Sequence, residues 1–401
     1  MVSTLVVILI SLAFAYLLSE ISKKIGLPRV VGQIIAGIIL GIGLIKSYLF
    51  TPDNLDILAF LANLGIILLF YYVGLETNFK VLTKNAKKSI LISLFNTSLP
   101  LILGFIVMRF IFNFDIIASI IVGVALSVSA QSVSIDLLEE LKMLKSKLGS
   151  TIISAGAVDD AIELILVSIL LSFFHIVISN LTPLRLMLDI TIFIAIIVAA
   201  RLWFLPFALK FFDRENSSTA RFMGSLIIVL IIASLAEYLG VGTLIGAMVA
   251  GIIIRQTIFK EESIPNWEEH DMARSIHIIA FGFLIPLFFV WIGVNTDLSV
   301  LIENIWFIIL LVLIAVVGTV GGTALAIKLN KGTWKEGFIL GWGLNPKGDI
   351  ELVIVALALE AGIITGSIFT SLVAMALITT IISPIVFKML VSKKGKKIIH
   401  T

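Results

Sequence analysis

Two adjacent carboxylates, Asp159 and Asp160, stand in the middle of residues 150–171, a stretch that is otherwise apolar enough to cross a lipid bilayer. A carboxylate at the bilayer centre costs about 2.5–3.5 kcal/mol on insertion scales, and such residues mark ion pathways and proton relays. Glu163 adds a third acid within one helical turn of both aspartates. These acids predict a site that binds protons or small cations, and hence an ion transporter.

Oxygen-bearing side chains could complete such a site, because oxygen ligands suit hard cations. The candidates with side chains close to the aspartates or in a neighbouring polar stretch are Gln131, Ser132 and Ser154. Lys347 is a cation at membrane depth and needs a partner. The acids that could pair with it are Asp349, Glu351 and Glu163. A structural ion pair is favoured for Lys347, and direct participation in ion binding is the alternative.

The composition indicates a membrane protein with many spans. Of 401 residues, 59% are hydrophobic and 14% charged, and the mean hydropathy is +1.15, whereas soluble domains have about 45–50% apolar and about 25% charged residues. Cysteine is absent and the four histidines lack metal-ligand spacing, so no cofactor is expected apart from transported ions. The basic residues are spread over short loops, which argues against nucleic-acid binding.

Apolar runs predict an all-α protein with about thirteen transmembrane helices. The predicted spans are 3–22, 28–45, 54–74, 88–112, 115–139, 149–175, 186–211, 219–239, 241–258, 275–294, 302–328, 334–360 and 365–391. If the N-terminus lies outside, inward-facing segments hold 24 of the 29 Lys and Arg, and outward loops hold three. This asymmetry predicts a cytoplasmic C-terminus in a cell-membrane protein.

Two pairs of segments suggest an internal repeat. Residues 31–39 (VGQIIAGII) resemble residues 245–253 (IGAMVAGII), and residues 73–79 (VGLETNF) resemble residues 292–298 (IGVNTDL). Each pair lies seven predicted spans apart, so its two copies would cross the membrane in opposite directions. An inverted repeat of this kind is typical of secondary transporters.

The repeat also predicts two discontinuous helices. Span five contains the polar stretch 127–134 (SVSAQSVS), and adding 214 to Ser132 gives Pro346, within residues 343–349 (GLNPKGD) of span twelve, beside Asn345. Proline removes a backbone donor and breaks a helix, and freed backbone groups are tolerated at membrane depth only beside a cavity or buried protein. Crossing breaks near the midplane would place helix ends at an ion site.

These motifs together resemble one family of transporters. The segments that carry the resemblance are residues 26–41 (GLPRVVGQIIAGIILG), 158–160 (VDD), 246–251 (GAMVAG), 286–293 (PLFFVWIG) and 347–349 (KGD). In this order they resemble the monovalent cation:proton antiporters, specifically the cation:proton antiporter-2 branch of bacterial and archaeal sodium/proton exchangers. The resemblance implies a homodimer, elevator-like exchange of Na⁺ or Li⁺ for H⁺ across the bilayer, and Asp160 as the essential site, with Asp159 beside it.

The resemblance also implies a division of the chain into a dimerisation domain and a transport core. The dimerisation domain would comprise residues 1–76 and 216–296, and the core residues 80–178 and 298–392. A linker helix would occupy residues 180–213, and a basic cytoplasmic tail residues 393–401.

The chain departs from the family pattern in span eleven. Electrogenic relatives carry a lysine there that pairs with the first aspartate, and the matching position is expected at Thr319. Without that lysine, Asp159 should lack an ion-pair partner, and exchange should depend less on voltage. Many relatives also have Gly-Glu where this chain has Gly32-Gln33.

Three other functions compete with sodium/proton exchange. A K⁺/H⁺ exchanger or Kef-type potassium efflux system is the nearest, although Kef-type chains usually have Gln-Asp and a C-terminal nucleotide-binding domain. An intramembrane aspartyl protease needs aspartates that face each other from separate helices. A sensor or scaffold on the same fold would not need both aspartates and both broken helices.

Overall fold

The computed structural model describes residues 2–76, 86–179, 183–204, 217–258, 271–348 and 350–392, and within them the regular structure is helical. The α-helices are α1 Thr4–Lys24, α2 Arg29–Leu40, α3 Gly43–Leu49, α4 Pro52–Glu76, α5 Ala86–Ile106, α6 Ile116–Ser127, α7 Gln131–Glu140, α8 Lys147–Ser179, α9 Pro183–Ala199, α10 Ser218–Tyr238, α11 Thr243–Ile258, α12 Asp271–Ile279, α13 Ile285–Val294, α14 Leu298–Glu303, α15 Ile305–Leu329, α16 Trp334–Leu344, α17 Ile350–Glu360 and α18 Gly366–Ser392. Short π-helical turns follow α5, α9 and α12.

The all-helical prediction is confirmed for the described residues. Eight helices are long and apolar enough to cross a membrane, or nine if a bent pair forms one span. Each of the thirteen predicted segments overlaps at least one helix, but several of those helices are shorter than a bilayer requires, so the count of thirteen stays a prediction. The basic tail at 393–401 lies outside the described residues.

One predicted span differs from the structure, and one predicted boundary is confirmed. Residues 28–45 were expected as one span, but α2 and α3 meet at 85°. The bend lies where the backbone of Ile42 is extended, so the helical turns end at Leu40 and resume at Gly43. The boundary expected at Gly240 separates α10 from α11, and its φ of +68° explains why glycine occupies it.

The helices pack mainly within two groups. In the first, α2 packs on α1 and α13, while α4 packs on α11 and α13, and α11 also packs on α10. In the second, α5 packs on α6, α8 and α15, while α18 packs on α15, α16 and α17. The helix α9 contacts α8 and α10, one from each group. The second group contains both the aspartates on α8 and the two breaks, α6/α7 and α16/α17.

Glycines permit the close helix contacts in the second group. A Cβ atom on Gly318 of α15 would lie 2.5 Å from Cβ and 2.6 Å from Cα of Pro100 on α5. Real Cβ atoms do not approach other atoms so closely, so a side chain at Gly318 would force the two helices apart. Three residues further along the same helix, a Cβ on Gly321 would meet nothing within 4 Å.

A matched pair of substitutions tests this packing. We expect Gly318→Ala to lower the midpoint temperature at which the detergent-solubilised protein leaves its size-exclusion peak, because α5 and α15 must separate. Gly321→Ala should leave the midpoint unchanged or raise it, since alanine favours a helix by about 1 kcal/mol over glycine. Equal losses in the two variants would contradict the close contact.

Candidate functional site

The first discontinuous helix breaks after Ser127. Residues 128–130 are extended rather than helical, so the backbone N–H groups of Ser129 and Ala130 cannot bond within the helix. The Ser129 N–H donates to Glu163 Oε1 over 2.6 Å, and the Ala130 N–H donates to the carbonyl of Pro346 over 2.8 Å. The predicted break is therefore present, and its freed donors are satisfied by the neighbouring acid and by the second break.

The second discontinuous helix breaks between Leu344 and Ile350. Pro346 has no N–H to give, and Gly348 has a φ of +154°, a region that favours glycine. The side-chain amide of Asn345 donates to the Ser383 hydroxyl over 2.8 Å, which ties the break to α18. The two breaks lie against each other, as the sequence predicted, since Ser134 also donates to the carbonyl of Gly343 over 2.6 Å. Asp349 lies outside the described residues.

Asp159 is buried and surrounded by neutral donors. Only 1% of its surface is exposed. Ser93 and Thr97 of α5 donate to Oδ1 over 2.9 and 2.6 Å, while Asn96 of α5 and Ser129 of the first break donate to Oδ2 over 2.7 and 2.6 Å. A carboxylate offers about four lone-pair sites. The four donors fill them, so this carboxylate is fully hydrogen-bonded by neutral groups, with no ion pair among the described residues.

Asp160 has a different environment. Because Asp160 lies one residue further along α8, its side chain points about 100° away from that of Asp159, and its surface is partly exposed. The amide head of Gln131, the first residue of α7, lies against its carboxylate. Of the two aspartates, Asp160 is therefore the one whose carboxylate is partly exposed and in contact with the amide of Gln131.

The other two predicted ligands are Ser154 and Ser132. Ser154 donates to the carbonyls of Ser150 and Thr151 and accepts from the hydroxyl of Ser89, and none of these bonds reaches an aspartate. Ser132 has an exposed side chain on α7. The structure thus brings Gln131 to the aspartates, whereas no bond to an aspartate is seen for Ser154.

Glu163 and Lys347 are fully buried on either side of the first break. Glu163 Oε1 also lies 3.1 Å from the Ser129 hydroxyl, at the N-terminal side of α7. Lys347 Nζ donates to the carbonyl of Ser127 over 3.3 Å and to Thr319 Oγ1 over 3.4 Å. An acid thus faces the positive end of α7 and an ammonium the negative end of α6, which is the favourable arrangement for helix dipoles.

The predicted ion pair of Lys347 is not a direct contact in the described residues. The nearest acids act on it through space, with Glu351 contributing most, followed by Glu163 and Asp159. Glu351 is itself buried at the start of α17. Lys347 is therefore the buried positive charge among several buried acids, and its head group rests on neutral oxygens.

Sequence reasoning missed four residues of this site. Ser93, Asn96 and Thr97 occupy one face of α5, and their spacing of three and four residues inside an apolar span is a signal that could have been used. Ser129 lies within the predicted polar stretch, but only the structure shows that it bridges Asp159 and Glu163.

The arrangement suits the binding of a small hard cation or a proton. It combines the partly exposed carboxylate of Asp160 with the fully hydrogen-bonded carboxylate of Asp159, and its remaining groups are amide, hydroxyl and carbonyl oxygens. Such oxygen ligands favour hard cations over soft metals.

Comparison with known proteins agrees with this chemistry. Residues 8–393 match the family described as "Sodium/hydrogen exchanger, transmembrane". The Na(+)/H(+) antiporter of Enterococcus hirae is 28% identical over 380 residues, covering 94% of each chain. The Na(+)/H(+)-K(+) antiporter GerN of Bacillus cereus is 29% identical over 380 residues, covering 95% of this chain and 94% of the relative.

The fold is similar to that of a solved transporter. The sodium proton antiporter MjNhaP1 from Methanocaldococcus jannaschii, at pH 8, aligns with a TM-score of 0.65 over 99% of both chains, with 13% sequence identity. At that identity the likeness concerns the fold alone. Together with the family match and the apolar helices, it confirms the resemblance drawn from the motifs: the chain belongs to the sodium/hydrogen exchanger family of multi-pass membrane transporters.

Proposed function

We propose that the protein exchanges Na⁺ for H⁺ across the cell membrane, with both ions competing for Asp160. The observation that carries this proposal is the contrast between the two aspartates. Asp159 has all its acceptor positions filled by neutral donors, so it serves as a fixed negative charge beside the site. Asp160 is partly exposed and lies against the amide of Gln131, so it can accept either ion.

Competition at one carboxylate is sufficient for coupled exchange. A bound cation favours ionised Asp160, and a bound proton excludes the cation. If the transport core moves only when Asp160 is occupied, each crossing with Na⁺ in one direction is balanced by a crossing with H⁺ in the other. Li⁺ would use the same oxygen ligands. The printed name of one relative includes K⁺, so a K⁺/H⁺ exchanger is kept as the second candidate.

We further propose that the chain consists of two inverted repeats, forming thirteen spans with the N-terminus outside. Two close contacts in the first group of helices support the inverted repeat. The Cβ position of Gly37 on α2 lies 2.2 Å from the carbonyl of Val290 on α13. The Cβ position of Gly251 on α11 lies 2.3 Å from the carbonyl of Tyr71 on α4. Adding 214 to Gly37 gives Gly251, and adding 219 to Tyr71 gives Val290, the same offsets as in the sequence.

A second set of contacts obeys the same relation. The Cβ position of Gly74 lies 2.2 Å from the carbonyl of Met248, and that of Gly293 lies 2.3 Å from the carbonyl of Ile34. Here the glycines are 219 residues apart and the carbonyls 214 apart. Each half therefore presents its glycines to the other half in the same way, as expected for two copies related by a two-fold axis.

The two groups of helices support the division into a dimerisation domain and a transport core. Helices α1–α4 and α10–α13 would form the first and mediate the homodimer, while α5–α8 and α15–α18 would form the second. In an elevator mechanism the core, which holds the acids and both breaks, slides against the other group while α9 links them.

Exchange by purified protein in liposomes tests the function. With an imposed pH gradient and a lumenal pH dye, Na⁺ should dissipate the gradient, and its apparent KM should rise as the pH falls, because protons compete for Asp160. Clamping the voltage with K⁺ and valinomycin should change the rate only weakly, since Asp159 is held by neutral donors. A response to K⁺ alone would favour the second candidate, and a response to no cation would refute the proposal.

A further inference from the structure

The amide of Gln131 has two distinct ways to lie against Asp160. With its nitrogen toward the carboxylate, it donates to both carboxylate oxygens, with 3.0 Å to Oδ1, and to the carbonyl of Gly156 over 3.2 Å. A half-turn of the same amide would instead bring its oxygen to the carboxylate and its nitrogen toward the carbonyl of Ile153. The two orientations share one position of the side chain and differ by a half-turn of the amide group.

Each orientation suits a different occupancy of Asp160. The nitrogen-inward orientation stabilises an ionised carboxylate that holds no cation, because an N–H group can only donate. The oxygen-inward orientation places two oxygens side by side, which is the arrangement that a hard cation needs. The amide is in direct contact with both carboxylate oxygens, so it must also withdraw slightly when a cation enters.

We propose that Gln131 is a reversible ligand that covers Asp160 through its nitrogen when the site is empty and coordinates the cation through its oxygen when the site is loaded. This inference rests on the proposed role of Asp160. It makes Gln131 a residue that sets cation affinity, because the loaded site gains the amide oxygen as a ligand and this gain exceeds the cost of displacing the amide nitrogen from Asp160.

Gly156 provides the space that the Gln131 side chain occupies beside Asp160. A Cβ atom on Gly156 would lie 2.7 Å from Cδ, 2.8 Å from Nε2 and 3.0 Å from Cγ of Gln131. Gly156 lies within α8, and glycine there weakens a helix by about 1 kcal/mol relative to alanine. The absence of a side chain at Gly156 therefore provides the space in which the glutamine lies across α8 to reach Asp160.

A double-mutant cycle in liposomes tests the pair. Gln131→Met keeps the length of the side chain but removes both amide atoms, so the apparent KM for Na⁺ should rise about tenfold with kcat changed less than about twofold. Gly156→Ala should displace the glutamine and raise KM to a similar extent. Because the more flexible methionine can give way, Gly156→Ala should add little in the Gln131→Met background. Gln33→Met, on α2, is the matched control and should leave KM unchanged.

The outcomes separate this inference from the proposed function. If wild-type protein exchanges Na⁺ for H⁺ but Gln131→Met retains the wild-type KM, the ligand role of Gln131 is refuted and exchange at Asp160 stands. If the two substitutions act additively, Gly156 does not serve Gln131. If Gly156→Ala fails to fold, the KM of Gln131→Met alone still decides the ligand role. Failure of the wild-type protein to exchange any cation would instead refute the proposed function.

Discussion

An Asp160→Asn variant is expected to lose exchange down to the rate of empty liposomes. Asparagine has nearly the same shape and can still bond to Gln131, so the fold should be preserved. The asparagine side chain carries no charge and binds neither a proton nor a cation near neutral pH, so both exchanged ions would lose their proposed common site. The measurement is the decay of a pH gradient after addition of Na⁺, at several pH values.

The matched control is Asp53→Asn, at the exposed first turn of α4. It makes the same chemical change far from the breaks and should exchange at the wild-type rate. Retention of exchange in Asp160→Asn would show that another group carries the ions, with Glu163 the next buried acid to examine.

A Lys347→Met variant is expected to be the least stable of the single substitutions considered. Lys347 is 0% exposed, and its charge interacts with Glu351, Glu163 and Asp159. Removing one member of a buried charge network costs about 3–5 kcal/mol, because the remaining charges stay buried without compensation. The midpoint of thermal loss from the size-exclusion peak should fall accordingly.

Lys388→Met provides the comparison, because it removes a lysine whose partner lies near the surface. Lys388 Nζ is 2.7 Å from Glu140 Oε2, and the two side chains are 29% and 55% exposed. Exposed pairs of this kind contribute about 0–1 kcal/mol. If the two variants lost the same stability, the charge on Lys347 would not be holding the buried acids in place.

Much of the architecture could be predicted from the sequence. Apolar runs located the helices, because only helices satisfy their own backbone inside a bilayer. Pro346 and the serine-rich stretch near Ser129 located both breaks, and the positions of the aspartates located the site. The bend between α2 and α3 was not predicted, since residues 40–45 form part of an apolar run that contains no proline.

The different surroundings of the two aspartates could not be predicted from the sequence. Neighbouring residues on a helix face different surroundings, and the sequence does not state which side faces α5. The donors from Ser93, Asn96 and Thr97 decide that question for Asp159. The sequence likewise offered three acids as partners for Lys347, whereas its head group bonds to neutral oxygens.

The bond between Ala130 and Pro346 has a mechanical consequence. It joins two chain segments that are far apart in sequence, and neither group has a substitute partner inside its own helix. Separating the two breaks would leave the Ala130 N–H and the Pro346 carbonyl without a hydrogen-bond partner inside the membrane. Each unsatisfied group costs several kcal/mol of free energy. The bond therefore holds the two breaks together, and in the proposed transport movement both breaks would shift as one unit with the bound ion.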